Sequence, residues 1–279
     1  MNFADLHLHS RYSDGSDTPK ELAEKLIQNH FSVAALTDHD SIRGVRELQE
    51  AVDHRVNIIT GVEFSCLDGK EQCHILGYGF DLQNKKILSL LKKGDDLRLR
   101  NFQNRRKHLE KAHGIIFTEK ELAWLYSLPK IGKPHIARIL IDRGLATDTS
   151  DVIRRYLDGC KAGDVRLPAN EVIPAILEAG GVPVWAHPLG GEGEKHLTEA
   201  EFHALLPRLT AHGIKGMECY YSRYTKAEIS FLLRMANENH LAVSGGSDYH
   251  GKNKTVRLGE LCSEKLTVTA DMLSVLNLL

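Results

Sequence analysis

Residues 5–14 read Asp-Leu-His-Leu-His-Ser-Arg-Tyr-Ser-Asp, and this stretch carries the strongest structural signal in the chain. Its two histidines, His7 and His9, end a short apolar run that alternates like a β-strand. Residues two apart point to the same side of a strand, so both imidazoles can reach one metal ion. A single His-x-His pair is also an ordinary feature of strand surfaces, and the metal interpretation therefore depends on the rest of the chain.

Histidines and carboxylates recur at the ends of predicted strands along nearly the whole chain. These residues are His39 after 31–36, Glu63 after 58–62, His74 before 75–78, His187 after 182–186, and Asp248 and His250 after 241–246. Residues at one end of successive parallel strands converge in space, and in barrels that end carries the chemistry. Mixed imidazole and carboxylate ligands suit manganese, zinc or iron. The pattern predicts a metal centre at one end of a barrel.

Composition limits the class of protein. A chain of 279 residues can form one large core. Its 36 Lys plus Arg residues are balanced by 37 Asp plus Glu, so the chain has no overall positive charge that would favour binding to duplex DNA. Five cysteines, an odd count without paired spacing, indicate reduced thiols and a cytoplasmic location. Cys66 and Cys73 flank the Glu63 and His74 region and are a secondary ligand alternative. We expect neither a signal peptide nor a transmembrane span, and therefore no membrane partner.

Helix and strand patterns alternate from the first residues. Four Thr-x-x-Glu capping boxes, at Thr18, Thr118, Thr198 and Thr225, each open an apolar periodic stretch. Strands are predicted at 3–8, 32–37, 57–65, 73–80, 182–186, 215–220 and 241–245. Strands separated by helices imply parallel βαβ units, so we expect an α/β barrel or strongly curled sheet formed by residues 1–83 and 166–279.

Residues 84–165 interrupt this alternation with a purely helical pattern, and we expect them to form an insertion over the metal end. Residues 92–111 hold eight basic residues against three acidic ones, with Arg98 and Arg105 on one helical face. This segment is either a solvated charged helix or a lid that contacts phosphate. In Gly-Lys133-Pro-His135-Ile-Ala-Arg138, a proline-started helix presents free N–H groups beside three cationic side chains, which predicts either a phosphate-binding site or structural capping.

Taken together, the motifs resemble the polymerase and histidinol phosphatase (PHP) family over essentially the full chain. The resemblance is carried, in the family's order, by Asp-Leu-His7-Leu-His9-Ser, Thr-Asp38-His39-Asp40, Glu63-Phe-Ser, His187-Pro and Ser-Asp248-Tyr-His250. It implies a distorted (β/α)7 barrel that holds up to three divalent metals, often Mn²⁺, with Zn²⁺ or Fe²⁺ as alternatives. Asp14 and the segment 132–138 resemble the subgroup of 3′,5′-nucleoside bisphosphate phosphatases and 5′-3′ exoribonucleases.

The resemblance also implies a role for each matching residue. One metal would be bound by His7, His9, Glu63 and Asp248. Glu63 would also bridge to a second metal, held by His74 and His187. The third metal would be bound by Asp14, His39 and His250. Asp38 and Asp40 would orient the ligands. Lys133 stands where many relatives have arginine, which weakens a bidentate phosphate grip but keeps the charge. Whether His187 is a ligand or a proton donor stays open.

The expected reaction is phosphoester hydrolysis in which a metal-bridging hydroxide attacks phosphorus in line. Glu63, His187, His135 and Arg138 are the expected catalytic residues, and Arg98, Arg105, Lys133, His135 and Arg138 are expected to bind the substrate. The substrate would be a nucleotide or a short RNA, and the sequence does not indicate an oligomeric state. Three alternatives stay open: a histidinol-phosphate phosphatase, a carbon–nitrogen amidohydrolase and a non-catalytic PHP binding module.

Overall fold

The computed structural model describes residues 2–128, 130–261 and 266–279, and these residues form two compact units. Residues 1–91 and 167–279 belong to the first, here called the barrel unit, and residues 92–166 belong to the second, here called the helical unit. The functional boundaries expected from the sequence, at 84 and 165, stay a prediction.

The barrel unit contains all seven predicted strands, with ends shifted by up to three residues. The strands are β1 Phe3–Leu8, β2 Phe31–Leu36, β3 Asn57–Asp68, β4 Glu71–Tyr78, β5 Leu167–Pro168, β6 Val182–Ala186, β7 Gly216–Tyr221 and β8 Ala242–Gly246, with a short pair β9 Glu260–Leu261 and β10 Leu266–Thr267 near the end. Only β5, β9 and β10 were not predicted, since two-residue strands carry no periodic signal.

The sheet runs in the order β1-β2-β3-β4-β6-β7-β8, with β5 paired to β3 at one side. The expectation of uniformly parallel strands is wrong for β4, which is antiparallel to both β3 and β6. The reason is local, because only two residues separate β3 from β4 and a parallel pair requires a much longer crossover. As a result, the first half of β4 lies at the edge where its neighbours end.

The sheet curls until its first and last strands meet. A parallel bridge joins Leu8 to Tyr249, and the His9 N–H donates to the Tyr249 carbonyl at 2.9 Å. The buried Asp5 carboxylate accepts hydrogen bonds from both the N–H and the hydroxyl of Ser247, at 2.9 and 2.6 Å, and from Gly259 N–H at 2.7 Å. The closed, barrel-like α/β fold inferred from the sequence is therefore confirmed.

Gly246 shows how closely the first and last strands approach. A Cβ atom at this position would lie 2.5 Å from the backbone nitrogen and the Cβ of His7. A side chain there would displace the strand that carries His7, so the absence of one allows the barrel to close around this histidine.

Helices cover the strands, and their starts follow the sequence signals. The helices of the barrel unit are α1 Pro19–Gln28, α2 Val45–Val52, α7 Ala169–Glu178, α8 Glu199–His212 and α9 Lys226–Glu238. Helix α3 Lys85–His113 leads into the helical unit. That unit continues with α4 Glu119–Ser127, α5 Lys133–Asp142, α6 Thr149–Val152 and a π-helical turn Ile153–Leu157. All four predicted capping boxes are present, with each threonine hydroxyl accepting from the N–H of the glutamate three residues later.

Each unit has its own hydrophobic core. In the barrel unit, apolar side chains from β1, β2, β3, β4 and β6 pack together with the C-terminal residues Leu273 and Val275. In the helical unit, a separate core includes Phe102, Leu109, Leu125 and Leu140. The described residues between 84 and 165 contain no strand, as predicted. No helix in the described part of the chain is long and apolar enough to span a membrane.

Candidate metal centre

The site is organised around one buried carboxylate, Glu63 on β3, whose oxygens face five imidazole nitrogens. Its Oε2 lies 3.2 Å from His7 Nε2, 3.2 Å from His9 Nε2 and 3.1 Å from His39 Nδ1, and its Oε1 lies 3.0 Å from His74 Nδ1 and 3.0 Å from His187 Nε2. The structure therefore brings together residues separated by up to 180 positions.

The remaining predicted ligands extend the cluster on one side. Asp248 Oδ1 lies 3.2 Å from His9 Nε2, and Asp14 Oδ1 lies 3.2 Å from His250 Nε2. All nine residues that the sequence selected thus converge at one end of the barrel. Four overlapping groups have ligand atoms within 4.8 Å of one another: His9/Asp14/His39/His250, His7/His9/Glu63, His39/Glu63/His74 and His74/His187/Glu194. The division of ligands among three ions stays a prediction.

The members of the cluster differ in their exposure to solvent. Most of its members are less than a tenth exposed, whereas the Asp14 side chain is 55% exposed and those of His39 and His74 are 24% and 17% exposed. A ligand from solution can therefore reach the cluster past these three residues.

Strand geometry explains why these side chains meet. His39, His187 and Asp248 lie one to three residues after strands that run toward the site, while His74 lies in the first half of β4, which runs away from it. His187 and Asp248 have φ values of 26° and 56°, a left-handed conformation that is unusual outside glycine. Such backbone conformations concentrate at functional sites, where the surrounding structure holds them in place.

Hydrogen bonds on the outer nitrogens fix the ring orientation of three histidines. His7 Nδ1 donates to Glu218 Oε1 at 2.8 Å, and His250 Nδ1 donates to the Asp248 carbonyl at 2.8 Å. His9 Nδ1 lies 3.4 Å from the Ser13 hydroxyl, which itself donates to Asp38 at 2.6 Å. In each case Nδ1 carries the proton and Nε2 points into the cluster, the arrangement typical of metal-ligating histidines.

The donor set fits divalent metal ions. Among the described residues, the buried nitrogens His9 Nε2, His39 Nδ1 and His250 Nε2 form no hydrogen bond, although a carboxylate oxygen lies 3.1–3.2 Å from each. Ligands at about 2.1 Å from a cation are about 3 Å apart when they occupy neighbouring octahedral positions. The separations of 3.0–3.2 Å around Glu63 match this spacing.

The electrostatics of the cluster also favour bound cations. Burial opposes a charge on His9 and His187, yet the surrounding carboxylates raise the pKa of His9 to about 9 and that of His187 to about 10. Burial likewise opposes a negative charge on Glu63, but the neighbouring histidines hold its pKa well below the usual range. A site that attracts protons this strongly also attracts metal ions, which replace those protons on binding.

Two carboxylates of the site were not predicted from the sequence. Glu218 on β7 is fully buried and uses both oxygens, accepting from His7 Nδ1 and, at 2.7 Å, from the backbone N–H of His187. Glu194 lies in the loop after β6, with its oxygens 3.6 Å from His74 Nδ1 and 3.3 Å from His187 Nδ1. A charged residue inside the apolar strand Gly216–Tyr221 was the available signal for Glu218, whereas the Glu194 loop has no comparable pattern.

The cysteine alternative is not supported by the geometry. Cys66 and Cys73 are opposite one another on β3 and β4, and side chains alternate across a strand. Cys66 is an odd number of residues from Glu63, and Cys73 is adjacent to His74, so both thiols lie on the other face of the sheet. No described cysteine belongs to any of the four ligand groups.

The predicted substrate-binding residues all lie in the helical unit, in three places. Arg105 and Lys133 both act electrostatically on the Cys160 thiol, whose pKa burial raises. His135 and Arg138 instead surround Trp124, and His135 Nδ1 accepts the Gly132 N–H at 3.0 Å, which gives His135 a capping role. Arg98 lies near Tyr126 and Leu128. Between Arg98 and Arg105, Asn101 is buried and donates to the Gly163 carbonyl, so this helical face is partly packed rather than open.

Residues 5–167 match the family described as the PHP domain, and the chain therefore belongs to the PHP family. The chain is a metal-dependent phosphoric ester hydrolase. His187, Asp248 and His250 lie beyond the matched segment, and the structure brings them to the same cluster as the residues within it.

Similar proteins cover most of the chain. It is 32% identical to a 5′-3′ exoribonuclease of Haemophilus influenzae over 92% of this chain and 93% of that protein. It is 30% identical to a 3′,5′-nucleoside bisphosphate phosphatase of Chromobacterium violaceum, over 88% and 86% respectively. The solved structure of a metal-dependent phosphoesterase from Bifidobacterium adolescentis superposes with a TM-score of 0.77 and 27% identity, covering 99% of this chain and 95% of that one.

Replacing Glu63 by glutamine tests the central carboxylate. The substitution keeps the size of the side chain but removes the charge that can join two cations. We expect loss of at least one bound metal and a fall in kcat of roughly a hundredfold or more with retained folding. Metal content by mass spectrometry and circular dichroism measure the two effects. Cys66→Ala on the same strand is the control, and loss of metal in that variant but not in Glu63→Gln would refute this ligand set.

Glu218→Gln tests the residue that anchors His7 and the His187 backbone. An amide has one acceptor oxygen, so it cannot receive both N–H groups, and we expect metal affinity to fall about 10- to 100-fold. Competition with a chromophoric chelator measures this affinity. Cys219→Ala, a buried neighbour on the same strand that faces the other way, is the matched control. Equal losses in the two variants would show that Glu218 acts only through the stability of the strand.

Proposed function

We propose that the chain hydrolyses the 3′-phosphate of nucleoside 3′,5′-bisphosphates, removes nucleotides in the 5′→3′ direction from 5′-phosphorylated RNA, or does both. We further propose Mn²⁺ as the metal, with the nine clustered histidines and carboxylates as its ligands, and the cytoplasm as the location. The observation that carries the proposal is that the nine expected histidines and carboxylates lie together in a chain whose relatives, similar over most of their length, are named for these two activities.

The distribution of charge supports a phosphorylated substrate. The helical unit contains 17 basic and 10 acidic residues, and the barrel unit contains 19 basic and 27 acidic ones. The near-neutral net charge of the chain is therefore the sum of two unlike parts. The acidic barrel unit suits metal ions, and the basic helical unit suits phosphate groups. A nucleotide with two phosphates, or RNA with a 5′-phosphate, offers an anion for each kind of surface.

In the proposed reaction, residues around the cluster orient the side chains that would bind the metals. Divalent cations in such a cluster supply a nucleophilic water at neutral pH and neutralise phosphate charge. Glu218, Ser13 and the Asp248 carbonyl hold the histidine rings in the orientation that ligation requires. Lys254 and Tyr221 both donate to Asp248 Oδ2, at 2.6 and 2.9 Å, which leaves Oδ1 directed at His9.

In this proposal, the helical unit determines which phosphoester is cleaved. Lys133 is the first residue of α5, where the helix dipole attracts anions, and Arg138 lies five residues further along the same helix. If either side chain binds the 5′-phosphate, the group that remains for hydrolysis is the 3′-phosphate of a bisphosphate or the first internucleotide linkage of an RNA. One mode of binding then accounts for both activities.

The proposed function predicts a defined order of substrates. Manganese-loaded protein should release phosphate from adenosine 3′,5′-bisphosphate and mononucleotides from short 5′-phosphorylated RNA, and should act far more slowly on histidinol phosphate. Chelation should abolish all of these reactions, because the cluster without metals has no other source of an activated water. Phosphate release and gel analysis of labelled RNA measure the rates. Faster hydrolysis of histidinol phosphate than of either nucleotide substrate would exclude the proposal.

Arg138→Ala tests the role of the helical unit. Removing a cation that contacts a phosphate should lower kcat/KM about tenfold or more for the bisphosphate and for 5′-phosphorylated RNA. A simple aryl phosphate, which has no second phosphate, should lose much less. Arg154→Ala is the control, because Arg154 is an exposed arginine of the same unit that pairs with Asp151. An equal loss on all three substrates would show that Arg138 serves the fold or the chemistry instead of recognition.

A further inference from the structure

Trp124 is an aromatic side chain at the centre of the residues selected for phosphate binding. It lies on α4, and the guanidinium carbon of Arg138 is 5.5 Å from the centre of its ring. The His135 ring meets it edge-on, with 6.1 Å between ring centres and an interplanar angle of 74°. The sequence pattern indicated the two cationic residues but not the tryptophan, since a single aromatic residue on an amphipathic helix is most simply a core residue.

The surroundings of Trp124 differ from those of a core tryptophan. Trp124 is partly buried and packs against the hydrophobic core of the helical unit without belonging to the fully buried set. Trp185, the other tryptophan, is only 2% exposed and stacks on Phe202 in the barrel unit. Trp124 is therefore anchored in the core of its unit without being fully buried, and its neighbour Arg138 is 71% exposed, with its Nε 3.9 Å from the Asp142 carboxylate.

The ring of His135 is held in a fixed position beside Trp124. Its Nδ1 is occupied by the Gly132 N–H, which fixes the ring beside Trp124. Burial and then the charge of Arg138 lower the pKa of His135, which favours its neutral form and leaves arginine as the main source of charge beside Trp124. The result is a planar aromatic surface beside one persistent cation.

We propose that Trp124 stacks against the nucleobase of the substrate, while Arg138 contacts an adjacent phosphate. This inference rests on the proposed function and narrows it to substrates that carry an unpaired base. Bases of every type have a π-face, so stacking on an aromatic ring tolerates any sequence, and an arginine beside the ring adds attraction for phosphate. A base inside a duplex is already stacked on its neighbours, so the site favours mononucleotides and single-stranded RNA.

Tryptophan fluorescence tests the contact directly. In a Trp185→Phe variant, emission comes from Trp124 alone, because the chain has only two tryptophans. Adenosine 5′-monophosphate should quench this emission, and ribose 5-phosphate, which lacks the base, should not. The same comparison in the wild-type background against Trp124→Phe keeps the test valid if the Trp185 variant is unstable. No quenching by the nucleotide, or equal quenching by both ligands, would overturn the proposal.

Kinetics provide an independent test on the metal-loaded enzyme. Relative to ribose 3,5-bisphosphate, kcat/KM for adenosine 3′,5′-bisphosphate should fall about 5- to 100-fold in Trp124→Ala. Trp124→Phe should retain most of this preference, because it keeps an aromatic face. Tyr126→Ala is the matched control, since Tyr126 is a half-exposed aromatic residue two positions further along the same helix and points another way.

The outcomes separate the two hypotheses. An unchanged preference in Trp124→Ala, or an equal loss of preference in Tyr126→Ala, would overturn base stacking by Trp124. Absence of hydrolysis of both bisphosphates by the wild-type enzyme would instead refute the proposed function, and the fluorescence comparison does not depend on turnover. A selective loss in Trp124→Ala together with selective quenching by the nucleotide supports the inference.

Discussion

The active end of this protein depends on one electrostatic constraint. Glu63 is completely buried, and a buried carboxylate is costly unless positive partners surround it. Five imidazoles face its two oxygens at 3.0–3.2 Å, two of them from the end of β1 and the other three from three further segments of the barrel. The cluster is therefore stable only when it holds cations, whether protons or metals. Closure of the barrel through Asp5 and Ser247, and the bridge that Glu218 forms between His7 and the His187 backbone, keep those segments in place.

Much of this could be predicted from the sequence because each prediction rested on a local pattern with a physical cause. A threonine followed three residues later by glutamate defines a helix start through two short hydrogen bonds, and all four examples form them. The ligand candidates were found because residues at strand ends share one edge of a sheet. The antiparallel strand β4 was the exception, and His74 still reached the site since reversing a strand brings its beginning to the edge where its neighbours end.

The residues that sequence reasoning missed act through tertiary contacts. Glu218 lies within a buried strand, and only the folded structure shows that its two oxygens reach His7 and the His187 backbone. Glu194 comes from a glycine-rich loop whose path no periodicity predicts. Trp124 looked like an ordinary core residue, because its significance comes from α5, where Arg138 and His135 lie beside its ring. Local patterns identify ligands well, whereas they say little about which groups orient those ligands.

Separation of charge explains how one chain can combine strong metal binding with selectivity for a substrate. The barrel cluster consists of groups that bind cations, and bound cations attract any accessible phosphate, so such a centre cannot by itself distinguish a nucleotide from a sugar phosphate. Discrimination therefore has to come from residues that bind the other parts of the substrate. In this chain the excess of basic residues lies in the helical unit, as does the partly buried Trp124 with its neighbour Arg138. Two relatives that are similar to this chain over most of their length are named for different substrates, as expected if substrate selection depends on residues outside the metal-binding cluster.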